Sequence, residues 1–312
     1  MVKVVGTRVR LLTLVVGLMA ASCSHADGPD TTPQTPHLRS VSVGAHWGIL
    51  YPAVSPDGSK LAFLAQGPTH TPRVGVISLV DSSEAVPVTP VDTRVAAFAW
   101  MPNSRELLIG SGPAAGPTEL SMVDLRGRIV REVPAGEQFR IGMQGLAVAP
   151  DGRSAAAAVR DVGPFDGPGW IVTIDLRSGD VGKLYDGDGR QWFESLHFAG
   201  AQDLLMTEGH LVFEQAPDAR GVMLDLGNRS ATPLTPSGRI VTGIAPAGDG
   251  SFVYTWFSAD RSAGSLEFVT AGGSGTTLYE AADLRGPSVS EGTVYFMSGT
   301  GSTVSVLDLP TS

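Results

Sequence analysis

The sequence predicts an all-β fold, a six-bladed β-propeller with four strands per blade, closed by an N-terminal strand. Three observations predict it. Glycine and proline supply 39 and 22 of the 312 residues, a load that helix interiors do not carry because both residues cost free energy there. An apolar strand, a tight turn and a second apolar strand recur along the chain at a spacing near that of one propeller blade. The hydrophobic fraction of 42% is enough to bury a core, which excludes a disordered chain.

The elements follow in chain order. Residues 1–10 carry Lys3, Arg8 and Arg10 and no acid, and residues 11–21 (LLTLVVGLMAA) form an apolar run too short to span a bilayer. Basic residues ahead of a short apolar run make a secretory signal peptide, placed at 1–22. Cys23, the only cysteine, stands directly after Ala20, Ala21 and Ser22. A lone cysteine has no disulfide to form in an exported protein. This junction resembles a bacterial lipobox, with alanine at position 20 where that family prefers leucine. The resemblance implies that Cys23 is lipidated and becomes the N-terminus. The stretch up to residue 37 (CSHADGPDTTPQTPH) has almost nothing apolar to bury and reads as a disordered tether. Loss of residues 1–22 takes the formal charge from -9 to -12. So acidic a body is no nucleic-acid binder, and it meets the membrane through the lipid anchor alone.

The propeller is placed at 38–312. Its first hairpin is YPAVSPDGSKLAFLA (51–65), followed by AFAWMPNSRELLIG (97–110) and GLAVAPDGRSAAAAV (145–159). Weaker copies are SLHFAGAQDLLMTE (195–208), GIAPAGDGSFVYTW (243–256) and SVSEGTVYFMS (288–298). The turns fall at 56, 102, 150, 199, 247 and 289, with spacings of 46, 48, 49, 48 and 42. In the turn, proline pre-sets φ, aspartate bonds nearby amides and glycine accepts the left-handed position. Third strands end in an Asp-Leu step, and Asp124, Asp175, Asp225 and Asp308 are expected to open the next hairpin through carboxylate–amide bonds. Fourth strands follow as AVPVTP (85–90), IVREVP (129–134), VGKLYD (181–186), ATPLTP (231–236) and TTLYEA (276–281), and the sixth repeat ends without one. The spare strand LRSVSVGA (38–45) is expected to fill that place and remove the exposed edge.

The Ser-Pro-Asp-Gly repeats resemble the WD40-like propeller repeat of the TolB family, and the resemblance covers 38–312. It implies a six-bladed propeller that serves as a protein-binding platform in the bacterial cell envelope, outside the cytoplasm. TolB carries an α/β domain ahead of its propeller, and nothing in residues 1–37 could form one. A lipid anchor ahead of a propeller is similar to the actinobacterial LpqB lipoproteins, again without their additional domain.

Motifs for chemistry are absent: there is no GxSxG elbow, HExxH helix, P-loop or CxxC pair. No catalytic residue, metal ligand or cofactor is therefore expected, and the chain reads as a monomeric, non-catalytic scaffold for a protein or an acidic ligand. The alternative is a channel-centred enzyme of the lactonase or quinoprotein type. Such an enzyme needs ligands on the inner strands, where the sequence offers only Glu194 and Gln144, and one carboxylate does not assemble a divalent site. Trp100 and His197 read as packing residues on inner strands, and Asp186-Gly187-Asp188-Gly189 as a turn. Long second-to-third-strand loops at 66–73, 111–118, 160–169 and 208–221 offer Phe165, His210 and Phe213 as exposed contacts. Arg94, Arg140, Arg190, Arg239 and Arg285 each stand just before an inner strand, with His46 in the comparable place of the first blade. They are the candidate ligand-binding residues, because converging guanidinium groups hold a carboxylate or phosphate bidentately.

Overall fold

The computed structural model describes residues 37–310, apart from 45–47, 67–70, 82–83, 91–92, 114–115, 136–138, 162–168, 187–191, 211–217 and 300. The signal sequence, Cys23, the tether to 36, His46, Arg190, Phe165 and Phe213 lie outside the described residues, and His210 is placed by its backbone alone. All regular elements among the described residues are strands, in a propeller-like arrangement of sheets.

After β1 (Arg39–Ser42), the first repeat holds β2 (Gly48–Val54), β3 (Lys60–Gln66), β4 (Pro72–Ser78) and β5 (Val86–Pro87). The second holds β6 (Val95–Trp100), β7 (Glu106–Ser111), β8 (Glu119–Asp124) and β9 (Ile129–Val133). Next come β10 (Phe139–Val148), β11 (Ser154–Asp161), β12 (Gly169–Asp175) and β13 (Val181–Tyr185). The fourth repeat has β14 (Trp192–Phe198), β15 (Asp203–His210), β16 (Asp218–Asp225) and β17 (Ser230–Pro233). The fifth has β18 (Ile240–Gly248), β19 (Ser251–Phe257), β20 (Gly264–Val269) and β21 (Gly275–Glu280), and β22 (Leu284–Ser290), β23 (Thr293–Ser298) and β24 (Thr303–Asp308) end the chain. Within repeats the strands pair antiparallel in sequence order, so contacts are local hairpins.

Local chemistry sets the turns. At Ser55-Pro56-Asp57-Gly58, the Asp57 carboxylate accepts from Ser55 Oγ at 2.6 Å and from the Ser59 amide at 3.1 Å. Those hydroxyl and amide donors hold its carboxyl well below the ordinary range. The Asp-Leu turns work the same way. Asp124 accepts from the amides of Arg126 and Arg128, Asp175 from Arg177 and Ser178, and Asp225 from Gly227 and Asn228. Asp308 differs. It pairs with Arg39 of β1 and accepts from Thr293 Oγ1. β1 runs antiparallel to β24, with Arg39 opposite Val306 and Ser42 opposite Thr303.

Six separate four-stranded sheets are expected from the repeats. The described strands form four such sheets and one of eight strands, in which the fourth and fifth repeats share a sheet. The joint is a single parallel pair, Ala219 opposite Ile240. Its cause lies in the short outer strand β17, which covers β16 only from Val222 to Asp225 and leaves Ala219 with an open edge.

The core lies between neighbouring sheets. Leu108, Leu120 and Ile141 bring the second and third repeats together, and Ile171, Leu196 and Met206 the third and fourth. Val43, Phe63, Met297 and Val304 pack the first repeat against the chain's end. Trp100 is 8% exposed and its Nε1 donates to the Ala53 carbonyl at 2.8 Å, so it is an inter-sheet packing residue.

Candidate functional site

The first strand of every repeat carries a register irregularity. These fall at Ile49/Tyr51, Val95/Ala97, Ile141/Leu146, Glu194/His197, Val241/Gly243 and Arg285/Ser288. A bulge bends its strand and re-aims side chains, and here it turns inner-strand residues toward a shared cavity of about 50 Å³. Tyr51, Phe98, Gln144, His197 and Pro287 line it, so the wall draws on β2, β6, β10, β14 and β22. Gln144 and Ser195 both adopt φ of +54° and Gly286 adopts +61°. At Gly286 a side chain would be strained by that φ and tightly placed: its Cβ would stand 3.1 Å from Pro52 Cδ and 3.3 Å from Gln144 Nε2.

Hydroxyls stitch neighbouring inner strands together around this cavity. Ser195 Oγ donates to the Ile244 carbonyl at 3.2 Å and accepts from the Ile244 amide at 3.1 Å. Thr242 Oγ1 donates to the Leu284 carbonyl at 2.7 Å, and Ser288 Oγ accepts from the Val54 amide at 2.9 Å. Gln144 Oε1 is buried and without a hydrogen-bond partner among the described residues, so the cavity presents one open acceptor.

Titratable groups sit beside it. Burial raises the Glu194 carboxyl to about 7, against the opposing pull of Arg160. Burial pulls the His197 imidazole down to about 4, so it is neutral at physiological pH. Tyr51 is pushed up by burial and by the Glu194 charge, and Arg285 works in the other direction. Tyr51 is thus a neutral hydroxyl within the electrostatic reach of one acid and one base. Among the described residues, no group of three or more His, Cys, Asp and Glu side chains is placed to hold a metal ion.

The arginines divide. Arg140 is 6% exposed and stands directly opposite Arg160 across the β10–β11 ladder. Burial lowers its pKa, and the charges of Arg160 and Arg94 lower it further, so these three guanidinium groups are close enough to feel one another. Arg160 belongs to none of the pre-strand positions. It escaped the sequence reading because it lies at the far end of a second strand, and only the register brings it to Arg140. Arg285 grips its own neighbour, with Nη2 donating to Asp283 Oδ1 and Oδ2 at 2.7 and 2.8 Å. Arg239 lies elsewhere, stacked on Trp256 at 4.2 Å and donating to Tyr254 Oη at 2.7 Å. Arg94, Arg140 and Arg160 are therefore grouped, whereas Arg239 and Arg285 are engaged in their own repeats.

No protein-family profile and no curated protein matches the chain. Solved structures do. A protein assigned as TolB from Agrobacterium tumefaciens aligns with a TM-score of 0.62 at 16% identity, over 89% of this chain and 99% of that one. TolB from Acinetobacter baumannii aligns with a TM-score of 0.57 at 14% identity, over 81% of this chain and 64% of that one. An oligogalacturonate lyase solved with manganese aligns at 0.53 and 12% identity, over 88% and 91%. Likeness at this level of identity speaks to architecture alone: the chain has a TolB-like β-propeller fold.

Proposed function

We propose that this chain is an exported, lipid-anchored β-propeller that acts as a non-catalytic binding scaffold in the bacterial cell envelope. On this reading Cys23 carries the lipid, the tether to residue 37 sets the domain off the membrane, and the domain works as a monomer. Six blades close through β1 as the outer strand of the last blade. The β1–β24 ladder and the hydroxyl bonds that pass from β14 to β18, β22 and β2 support that closure.

The observation that carries the binding role is the grouping of Arg94, just before β6, and Arg140, at the start of β10, with Arg160 near the end of β11. Like charges directly across a ladder destabilise the sheet, so the placement of Arg140 opposite Arg160 is not explained by strand pairing. Three guanidinium groups in one place suit an acidic ligand, such as a carboxylate-rich segment of a partner protein. Arg190, Arg285 and His46 remain candidates for extending that surface, whereas Arg239 stands apart in the fifth repeat, held by Glu267.

The test is binding of an oligoglutamate peptide by fluorescence anisotropy. The scaffold reading expects affinity that falls with added salt and drops about tenfold or more in the Arg94→Ala/Arg160→Ala double variant. Affinity indifferent to both salt and substitution would remove the acidic-ligand role.

A further inference from the structure

A second cavity, of about 460 Å³, opens on the fifth repeat and shares no lining residue with the channel cavity. Its size falls within the range of small-molecule pockets. It exists because β20 starts at a glycine: a Cβ on Gly264 would stand 2.6 Å from the Ala281 carbonyl oxygen and 2.7 Å from that of Trp256. That close approach brings Ala281 beside Trp256 and leaves a small-residue wall.

Glu267, 9% exposed, organises the floor. Its carboxylate accepts from Ser265 Oγ at 2.6 Å, Thr277 Oγ1 at 3.2 Å, Trp256 Nε1 at 3.3 Å and Arg239 Nη1 at 3.5 Å. A carboxylate so fully engaged holds its neighbours in place and does not itself take a ligand. What it holds is Arg239, whose guanidinium lies over the Trp256 ring at 4.2 Å and whose Nη1 also donates to Tyr254 Oη. Both bonds and the ion pair use Nη1. The Nε–Nη2 edge, the fork that matches a carboxylate, has no partner among the described residues. Arg220 shows the contrast within the same protein. It spends that very edge on Glu208, with Nε at 2.7 Å and Nη2 beside it.

One further charge lines the cavity. Glu280 is exposed and makes no ion pair among the described residues. The cavity thus pairs a pre-oriented cationic edge with a free carboxylate, across an indole ring and small apolar residues. A plain anion would meet repulsion from Glu280, and a plain cation would leave the Arg239 fork without a partner. A ligand carrying both charges meets neither.

We infer that this cavity is a binding site for a small zwitterion of the α-amino acid or short unblocked peptide class, with its carboxylate on Arg239, its ammonium group toward Glu280 and its side chain against Trp256. The site does not depend on the scaffold reading, since it uses neither the channel cavity nor the Arg94–Arg140–Arg160 group.

The experiment titrates the purified domain with free L-amino acids and the dipeptide Ala-Ala, read by tryptophan fluorescence and calorimetry. At least one of these zwitterions is expected to bind with millimolar affinity or better. Its N-acetyl and C-amide derivatives are each expected to bind at least about tenfold more weakly, the weight of one charge-assisted hydrogen bond. Glu280→Gln, on the exposed rim, should weaken the zwitterion while sparing the N-acetyl derivative. Arg239→Lys keeps the charge and loses the fork, and should weaken every carboxylate-bearing probe. No binding by any of these probes would overturn the inference. So would equal binding of the N-acetyl derivative, which would mark a simple anion site.

Discussion

At the residue scale, β14 places two groups with opposite pH behaviour a few residues apart. Glu194 has its carboxyl raised to about 7 from 4.5, so the folded state holds a proton that the unfolded chain releases. Its contribution to stability is complete below about pH 4.5 and is lost as pH rises toward 7. His197 is lowered to about 4 from 6.5, so the unfolded chain takes up the proton first, and stability is lost as pH falls from 6.5 toward 4. The two slopes oppose each other across most of that window. Glu194→Gln should therefore leave a melting temperature that climbs with pH from 4 to 6.5 relative to wild type, and His197→Gln one that declines from 4.5 to 7. Melting curves across that pH range check both, and parallel profiles for all three proteins would show that neither group titrates as placed. A second residue-scale expectation concerns the anchor. Cys23→Ser should abolish incorporation of a labelled fatty acid and move the protein out of the membrane fraction. Label retained by the variant would contradict lipidation at this position.

The same scale shows what a sequence can and cannot reveal. Turn aspartates are legible because their bonds reach only two to four residues along the chain, as Asp57, Asp124 and Asp175 show. Asp308 is not legible, because its partner Arg39 is 269 residues away. The arginines fall between these cases. Standing before an inner strand fixes where the backbone is, but the side chain's destination depends on a third-strand acid for Arg239 and on a cross-ladder arginine for Arg140.

At the element scale, strand order and hairpins were written in the alternating apolar segments and their turns, and the outer strands were written least well. AVPVTP and ATPLTP read as full fourth strands, yet β5 and β17 pair over only two and four residues. Proline has no amide hydrogen to donate to a ladder, so each of these segments is a truncated edge. That truncation uncovers Ala219 and lets two repeats join, which spacing alone does not reveal. Packing within one element gives a direct test. Gly75 in β4 lies under the Phe63 ring, and a Cβ there would meet Phe63 Cζ at 2.5 Å. Phe63 is fully buried and cannot swing away. Gly75→Ala should cost about 1–3 kcal/mol, and Phe63→Leu in the same chain should recover part of that loss. Chemical denaturation of the two single variants and the double variant measures the coupling. Strictly additive costs would show that the ring does not occupy that space. The latch is an element too. Deleting residues 38–45 should lower the melting temperature and promote aggregation through the uncovered edge of β24, whereas deleting 24–35 should change neither.

At the scale of the whole molecule, repeats of 42 to 49 residues put nearly all pairing between sequence neighbours, and among the described strands only β1 must find a distant partner. Such an architecture leaves the loops free to carry function on one face, while the opposite face is made of short, hydrogen-bonded turns. On the scaffold reading the domain binds in the cell envelope with the face that carries the second-to-third-strand loops at 66–73, 111–118, 160–169 and 208–221. The most direct test of that reading is photocrosslinking in intact cells, with a photoreactive amino acid at Ser111 on the long-loop face or at Asn103 in the opposite turn. A discrete adduct is expected from position 111, lost on adding excess salt to permeabilised cells, and none from position 103. Equal adducts from both positions, or none from 111 in a protein that accumulates normally at the membrane, would contradict it.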